Sequence, residues 1–323
     1  MGKENREVLK DITTSALADG GKLLGWQAAA FIDLTVDVSV MLKMIRTETR
    51  TIPHGELDTI NVGSPVTEKA SENVDTGNTY DPTFGKIPYS VTKVRSAFNL
   101  TTESYQDNIE GQGLRNRTMT SFAKRIATDF EMLAIEGDAS ITDAGVTDRL
   151  LKTDDGWDVQ TATGCHYVDV GGKSVSLALF NTMIKAMPSR YKLARGSLVF
   201  FVGPSTYQDY WNVLAARNTN LGDRAIDSNI ALRAYGVPVV EIPLIPEDKT
   251  VTSPYSTTGS FVWLTVPSNF IFISLRMMDV YWEFQPRTDR WENTTYSQVD
   301  MVIENKDAIV KAINVDIEGA AYS

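Results

Sequence analysis

The sequence predicts an α+β fold. One long helix packs on long antiparallel strands, a compact α/β unit is inserted between them, and an extended β-hairpin and an N-terminal arm have no core of their own. Three observations carry this. Met119, Phe122, Ile126, Phe130 and Leu133 step by three and four, the spacing of one helical face. In the C-terminal region Val280, Trp282 and Phe284 alternate with Tyr281 and Glu283, as Val299, Met301 and Ile303 do with Asp300 and Val302. Residues 54–100 hold few large apolar residues, yet Tyr89 to Phe98 alternates with both faces mixed, the pattern of an exposed strand.

Along the chain, the stretch to Gly21 is polar and reads as an arm. Leu23 to Met44 is apolar-rich, helix first and strand later, and Pro53 bars any helix beyond it. A polar hairpin follows, with strands near 50–62 and 85–98 and a loop around 74–78. Such a hairpin buries no core alone and is expected to find its stability on a neighbouring chain. The long helix spans 101–137, capped by Thr101 or Thr102 with Glu103 in its first turn and ended by Gly137 as a left-handed cap. Gly111 and Gly113 mark a bend or a restart in it.

Residues 138–172 are acidic and read as loops. A helix runs from about Ser174 to Met187 and stops at Pro188. Leu198 to Val202 is a continuously apolar, buried strand. Gly203-Pro204-Ser205 opens a helix carrying Tyr207, Tyr210, Trp211 and Leu214. Val237 to Val240 and Phe261 to Leu264 are further strands, so this region is one α/β unit. The final alternation, Ile309 to Ile317, is expected to join the other C-terminal strands against the long helix.

Composition limits the chemistry. The 323 residues carry 31 Lys+Arg and 41 Asp+Glu, a net charge of −10, and 42% are hydrophobic, enough for a real core. One cysteine excludes an internal disulfide and a cysteine zinc cluster. The acidic balance argues against holding nucleic acid by bulk positive charge. The N-terminus has no apolar signal region, and Arg6 stands where myristoylation needs Ser or Thr. The apolar run Phe261 to Leu275 is broken by Pro267, Ser268 and Asn269, so no membrane association is expected. A reducing cytoplasm is the expected place of synthesis.

No motif assembles a catalytic site. Gly171-Gly172-Lys173-Ser174 has Tyr167 where a phosphate loop needs glycine, and reads as a hairpin turn. Gly111-Gln112-Gly113 lacks the third glycine of a dinucleotide loop, at Asn116. Ser205 lacks the second glycine of a nucleophile elbow and reads as a helix start. Cys165 and His166 are adjacent, so they point apart on a strand and make a poor nucleophile–base pair. Asp138, Asp143, Asp148, Asp154 and Asp155 miss the calcium-loop spacing. Arg115, Arg117, Lys124 and Arg125 form a basic helix stretch, read as a solvated face or as ion pairs to a neighbour.

The order of elements resembles that of tailed-bacteriophage major capsid proteins of the Hong Kong 97-type fold. The resemblance covers nearly the whole chain. It lies in Gly20-Gly21-Lys22-Leu23-Leu24, Phe31-Ile32, Met41-Leu42 and Thr51-Ile52-Pro53 of the arm. It continues in Val66-Thr67-Glu68 and Asp81-Pro82-Thr83-Phe84 of the hairpin, Leu100-Thr101-Thr102-Glu103 at the helix entry, Ala134 to Asp138 at its end, and Gly236 to Val240 followed by Pro243 and Pro246. It implies an arm (1–48), an extended loop (49–100), a peripheral domain (101–137 with 268–323) and an axial domain (138–267). It also implies a subunit that forms pentamers and hexamers, closes an icosahedral shell around double-stranded DNA, and uses no cofactor and no metal. The expected location is the virion, assembled in the host cytoplasm, with scaffolding, portal and cement proteins as companions. Few residues precede the glycine pair, so scaffolding is expected from a separate protein, if any.

Candidate inter-subunit contacts are Glu68, Lys69, Glu72, Lys86, Arg115, Arg117, Trp211, Arg287 and Arg290. Some family members cross-link a loop lysine to an asparagine. Lys69 and Lys86 lie in the loop here, but no local feature marks an asparagine, so ordinary ion pairs are expected from Glu68, Lys69 and Glu72. Two rivals stand beside this reading. One is an encapsulin-type compartment shell of the same fold. The other is an α/β enzyme using 138–267, which would show a pocket of convergent ionisable groups.

Overall fold

Period-two apolar patterning far apart in the chain must be paired by tertiary structure, and among the described residues it is paired into three sheets. The computed structural model describes residues 39–61, 67, 69, 81, 83–103, 113–142, 145–193, 195–216, 232–247, 249–250, 258–275 and 279–317. The expected arm up to residue 38, most of the hairpin loop, and the 104–112 stretch with Gly111 lie outside them.

The strands and helices run in this order: β1 (Arg46–Arg50), β2 (His54–Asn61), β3 (Thr83–Ser90), β4 (Thr92–Thr101), α1 (Gly113–Glu136), α2 (Val146–Leu151), α3 (Trp157–Gln160), β5 (His166–Ser174), α4 (Leu177–Ala186), α5 (Ser189–Lys192), β6 (Val199–Val202), α6 (Pro204–Ala215), β7 (Arg233–Ala234), β8 (Val237–Glu241), β9 (Lys249–Thr250), β10 (Thr258–Thr265), β11 (Phe270–Leu275), β12 (Asp279–Gln285), β13 (Arg290–Ile303) and β14 (Val310–Asp316).

The first sheet is built on β13. Its strands run β1-β11-β13-β12, and β4 also pairs with β13. β1 is parallel to β11, and the other pairs are antiparallel. The second sheet has seven strands in the order β5-β14-β10-β6-β8-β7, with β9 on β10. β2 and β3 form a separate two-stranded ribbon.

α1 shows why its periodicity matters. Ala123, Ile126, Phe130, Leu133 and Ala134 are buried in one core with Phe270, Phe272 and Met301 of the first sheet. The same core takes in Phe201, Phe261 and Trp263 from one face of the second sheet. Burying each large side chain contributes about 1.5–3 kcal/mol. A second core lies on the other face of that sheet, where Phe180 of α4 and Tyr210 of α6 meet Phe200 edge-on or across one ring. Ser176 caps α4, its Oγ accepting from the Leu179 N–H at 3.3 Å. Gly203 and Pro204 open α6 as the sequence indicated. Glu247 accepts both the Ser205 N–H and its hydroxyl at 2.6 Å, which makes Ser205 a helix-start residue.

Several expectations change. The return strand is not continuous. It breaks at Val91, whose N–H bonds to Pro53 O at 3.0 Å, and β4 then leaves the ribbon for the first sheet. Gly171 and Gly172 are not a hairpin turn. They lie inside β5 at φ +69° and +66°, near Asn314 at +59°, where the register with β14 shifts between Ile313 and Val315. This is a bulge, and glycine suits its left-handed backbone. Gly137 is not among the residues with positive φ. Its role is close approach: the Gly156 N–H bonds to Gly137 O at 2.8 Å, and a Cβ at Gly137 would stand 2.4 Å from Asp154 O. The acidic stretch read as loops holds α2, α3 and β5, and fully buried Trp157 fixes α3 in the core.

The last strand also departs from expectation. β14 pairs with β10 and β5 in the second sheet, not with the strands that cover α1. Its first three residues are all buried, the pattern of a strand covered on both faces.

Candidate assembly surface

Cys165 Sγ donates to Thr161 O at 2.9 Å, and burial pushes its thiol up from the usual range, away from the reactive thiolate. His166 Nε2 stands 4.0 Å from Asp307, which Arg190 holds at 2.6 Å. Among the described residues no group of three or more His, Cys, Asp or Glu side chains could hold a metal ion. None of the described helices is long and apolar enough to cross a membrane.

Among the described residues, the β2–β3 ribbon carries two strongly exposed apolar side chains on one surface. Ile60 and Phe84 sit opposite each other across it, and both are 69% exposed. Lys86 and Glu56 pair on its surface at 2.5 Å, and Glu56 raises the Lys86 amine above its ordinary value. The root of the ribbon is anchored. Leu57, Tyr89 and Val91 pack on Ile271, Ile273 and Val302 of the first sheet.

One polar tie joins this root. Asp300 Oδ2 accepts the Ser90 N–H at 2.7 Å, although Asp300 is only 8% exposed. Burial, with a smaller push from Asp154, raises its carboxyl to about 6; the Ser90 and Met301 amides act in the opposite sense. A carboxyl raised in the folded state stabilises the fold most below its unfolded value, and that advantage is lost as pH rises through about 6. The wild-type melting temperature is therefore expected to fall from about pH 4 to about pH 6 and to level off above. The contribution is about 2–3 kcal/mol. Asp300→Asn keeps an acceptor for Ser90 but does not titrate, so its advantage over wild type should grow with pH. A gap that stays constant across this range would refute the assignment.

The predicted contact residues do not converge on one cluster. Lys69 is exposed, Lys86 is on β3, and Glu68 and Glu72 lie outside the described residues. Arg115 and Arg117 are on α1, but their side chains lie outside the described ones. Trp211 is half-buried on α6 against the second core. Arg287 is exposed in the turn before β13, where Arg290 holds Glu292 at 2.6 Å. The buried charges Asp300, Glu131 and Lys311 were missed, because a lone charge inside an apolar helix or an alternating strand reads as pointing to solvent.

No family model matches the chain. It is 27% identical over 315 residues to YqbE of Bacillus subtilis (strain 168), a protein ascribed to a prophage capsid, covering 96% of this chain and 99% of that one. A chain of the satellite phage P4 procapsid superposes with a TM-score of 0.64 at 16% identity, over 89% of this chain and 99% of that one. The SrpI encapsulin of Synechococcus elongatus PCC 7942 superposes with a TM-score of 0.55 at 10% identity, over 88% and 89%. The capsid fold expected from the element order is present.

Proposed function

We propose that this chain, which has the fold of phage-capsid and encapsulin shell subunits, is a major capsid protein. Its copies assemble as pentamers and hexamers into an icosahedral shell that encloses phage double-stranded DNA. The observation that carries this is the end-to-end match to a prophage capsid relative, 96% of one chain on 99% of the other. The exposed ribbon supports it, because a two-stranded ribbon with apolar residues at Ile60 and Phe84 is poorly stable in water alone.

The work is mechanical. Many modest interfaces resist internal pressure, and the net charge of −10 lets the wall confine DNA without adhering to it, with counterions screening the contact. The arm (1–48) and extended loop (49–100) reach neighbours, residues 101–137 with β11 to β13 form the peripheral part, and 138–267 joined by β14 forms the axial part. Scaffolding, portal and cement proteins are companions of assembly, which proceeds in the host cytoplasm. The encapsulin-type compartment is the second reading, supported by the shared fold; the prophage relative favours the capsid.

Expression followed by negative-stain microscopy tests this. Closed shells or tubes are expected. Monomers or dimers with a catalytic activity would overturn it, and shells holding a host enzyme would favour the compartment.

A further inference from the structure

Among the described residues several strands pair on one side only, so a free edge by itself marks no site. β4 combines a free edge with a groove. It pairs with β13 alone among the described strands, in unbroken register from Thr92↔Val299 to Thr101↔Arg290, and contains no proline. A groove of about 510 Å³ is lined by five of its consecutive residues, Lys93 to Ala97. Successive side chains of a strand point to opposite faces, so a groove that meets all five faces their shared backbone edge. Phe122, Ile126 and Phe130 of α1 form a second wall, and Leu150 of α2 a third.

The two faces of β4 suit different neighbours. Val94 and Ser96 are half-buried on the face turned to α1, where Phe98 stacks on Phe122 with ring centroids 3.9 Å apart. Lys93 and Arg95 are exposed on the other face. A strand laid on this edge sets one row of side chains against the α1 wall and the alternate row beside Lys93 and Arg95. Apolar residues fit the first row. Carboxylates fit the second, since alternate residues of a strand repeat at about 6.7 Å, the spacing of Lys93 and Arg95 themselves. The charge of the groove agrees. Its lining holds four cations, Lys93, Arg95, Arg125 and Arg149, against one carboxylate, Asp129, which already pairs with Arg125 at 2.9 Å. This positive excess is local, in a chain of net charge −10. The β4 edge of a second copy is a poor occupant, because it would oppose cation to cation.

We propose that this groove is the docking site for an extended segment of a separate protein in which acidic residues alternate with apolar ones, and that the segment adds to β4 as a further strand. The apolar row supplies affinity by burial, and the acidic row selects against basic and neutral strands. The inference does not depend on the shell reading, because subunits that fail to assemble carry the same groove.

A labelled synthetic peptide of alternating valine and aspartate is the probe, with lysine in place of aspartate as the control. Fluorescence anisotropy on the full-length, unassembled chain should show saturable binding of the aspartate peptide and none of the lysine peptide. Lys93→Glu with Arg95→Glu should weaken the aspartate peptide about tenfold or more and admit the lysine peptide. Lys93→Gln with Arg95→Gln adds no repulsion and should give a smaller loss, which covers the case of a reversed chain that does not fold. Bound peptide should slow hydrogen exchange at the amides of residues 93–97. Equal binding of the two peptides, no saturation by about 1 mM, or slowed exchange only outside 93–97 overturns the proposal. Tighter binding of a single-stranded oligonucleotide also overturns it, since phosphates would then be the ligand of these cations. So does loss of peptide binding when the chain assembles alone, since a second copy would then cover the groove.

Discussion

Lys311→Ala is expected to destabilise the subunit by about 3–5 kcal/mol, the cost of leaving a buried charge without its partner. Lys311 lies on β14 and is 7% exposed. Its ammonium has three donors, and all three find acceptors: Asp158 Oδ1 at 2.5 Å, Asp158 O at 3.1 Å and Thr161 Oγ1 at 3.2 Å. The Phe261 ring, 5.1 Å away, adds a cation–π contact. The alanine variant strands the Asp158 carboxylate in the interior. The same loss is expected for Asp158→Ala, which strands the ammonium. The double change Lys311→Met with Asp158→Leu should recover most of the stability, because well-packed apolar residues can replace a buried pair at little cost. Thermal melts of the four proteins check this. Equal melting temperatures for Lys311→Ala and wild type would show that the pair contributes nothing.

Glu131→Ala should cost a similar amount, about 3–5 kcal/mol, through another route. The Glu131 carboxylate is buried on α1 and accepts the Val40 N–H at 3.0 Å, the Met41 N–H at 2.9 Å and the Ser39 hydroxyl. These donors open the turn that leads into β1, where Met41 and Leu42 are fully buried. Alanine leaves the Met41 amide buried without an acceptor. Glu131→Gln keeps one acceptor oxygen but turns an NH2 group toward donors, so an intermediate loss is expected. Denaturant unfolding measures the loss, and limited proteolysis should show new cleavage near residues 39–45. Unchanged protection of that segment in Glu131→Ala would refute the anchor.

Much of the secondary structure was legible because its signals are local. The three-and-four spacing from Met119 to Leu133, the apolar run before Val202, and Pro204 after Gly203 each specify an element within a dozen residues. The break at Val91 was not legible. The alternation from Tyr89 to Phe98 is the same on both sides of it, and only the change of partner, from β2 to β13, reveals it. Gly137 announced a helix end correctly and misled about why, since a glycine needed for close approach looks the same as one needed for a left-handed turn. The exposed ribbon was legible as a segment without a core, and its buried root was not.

The sequence by itself determined the long helix, the helices that follow Ser174 and Gly203, most of the strands, the absence of a legible catalytic motif, and a family resemblance that rests on the order of elements. Periodicity and turn chemistry are short-range, so they survive in one dimension. Tertiary structure alone decided that β14 crosses to the second sheet, that β1 lies parallel to β11, and that Lys311, Glu131 and Asp300 are interior anchors. The physical reason is common to all three. Strand pairing and the desolvation of a charge depend on residues from 46 to 225 positions away, and no local pattern encodes which of them arrives.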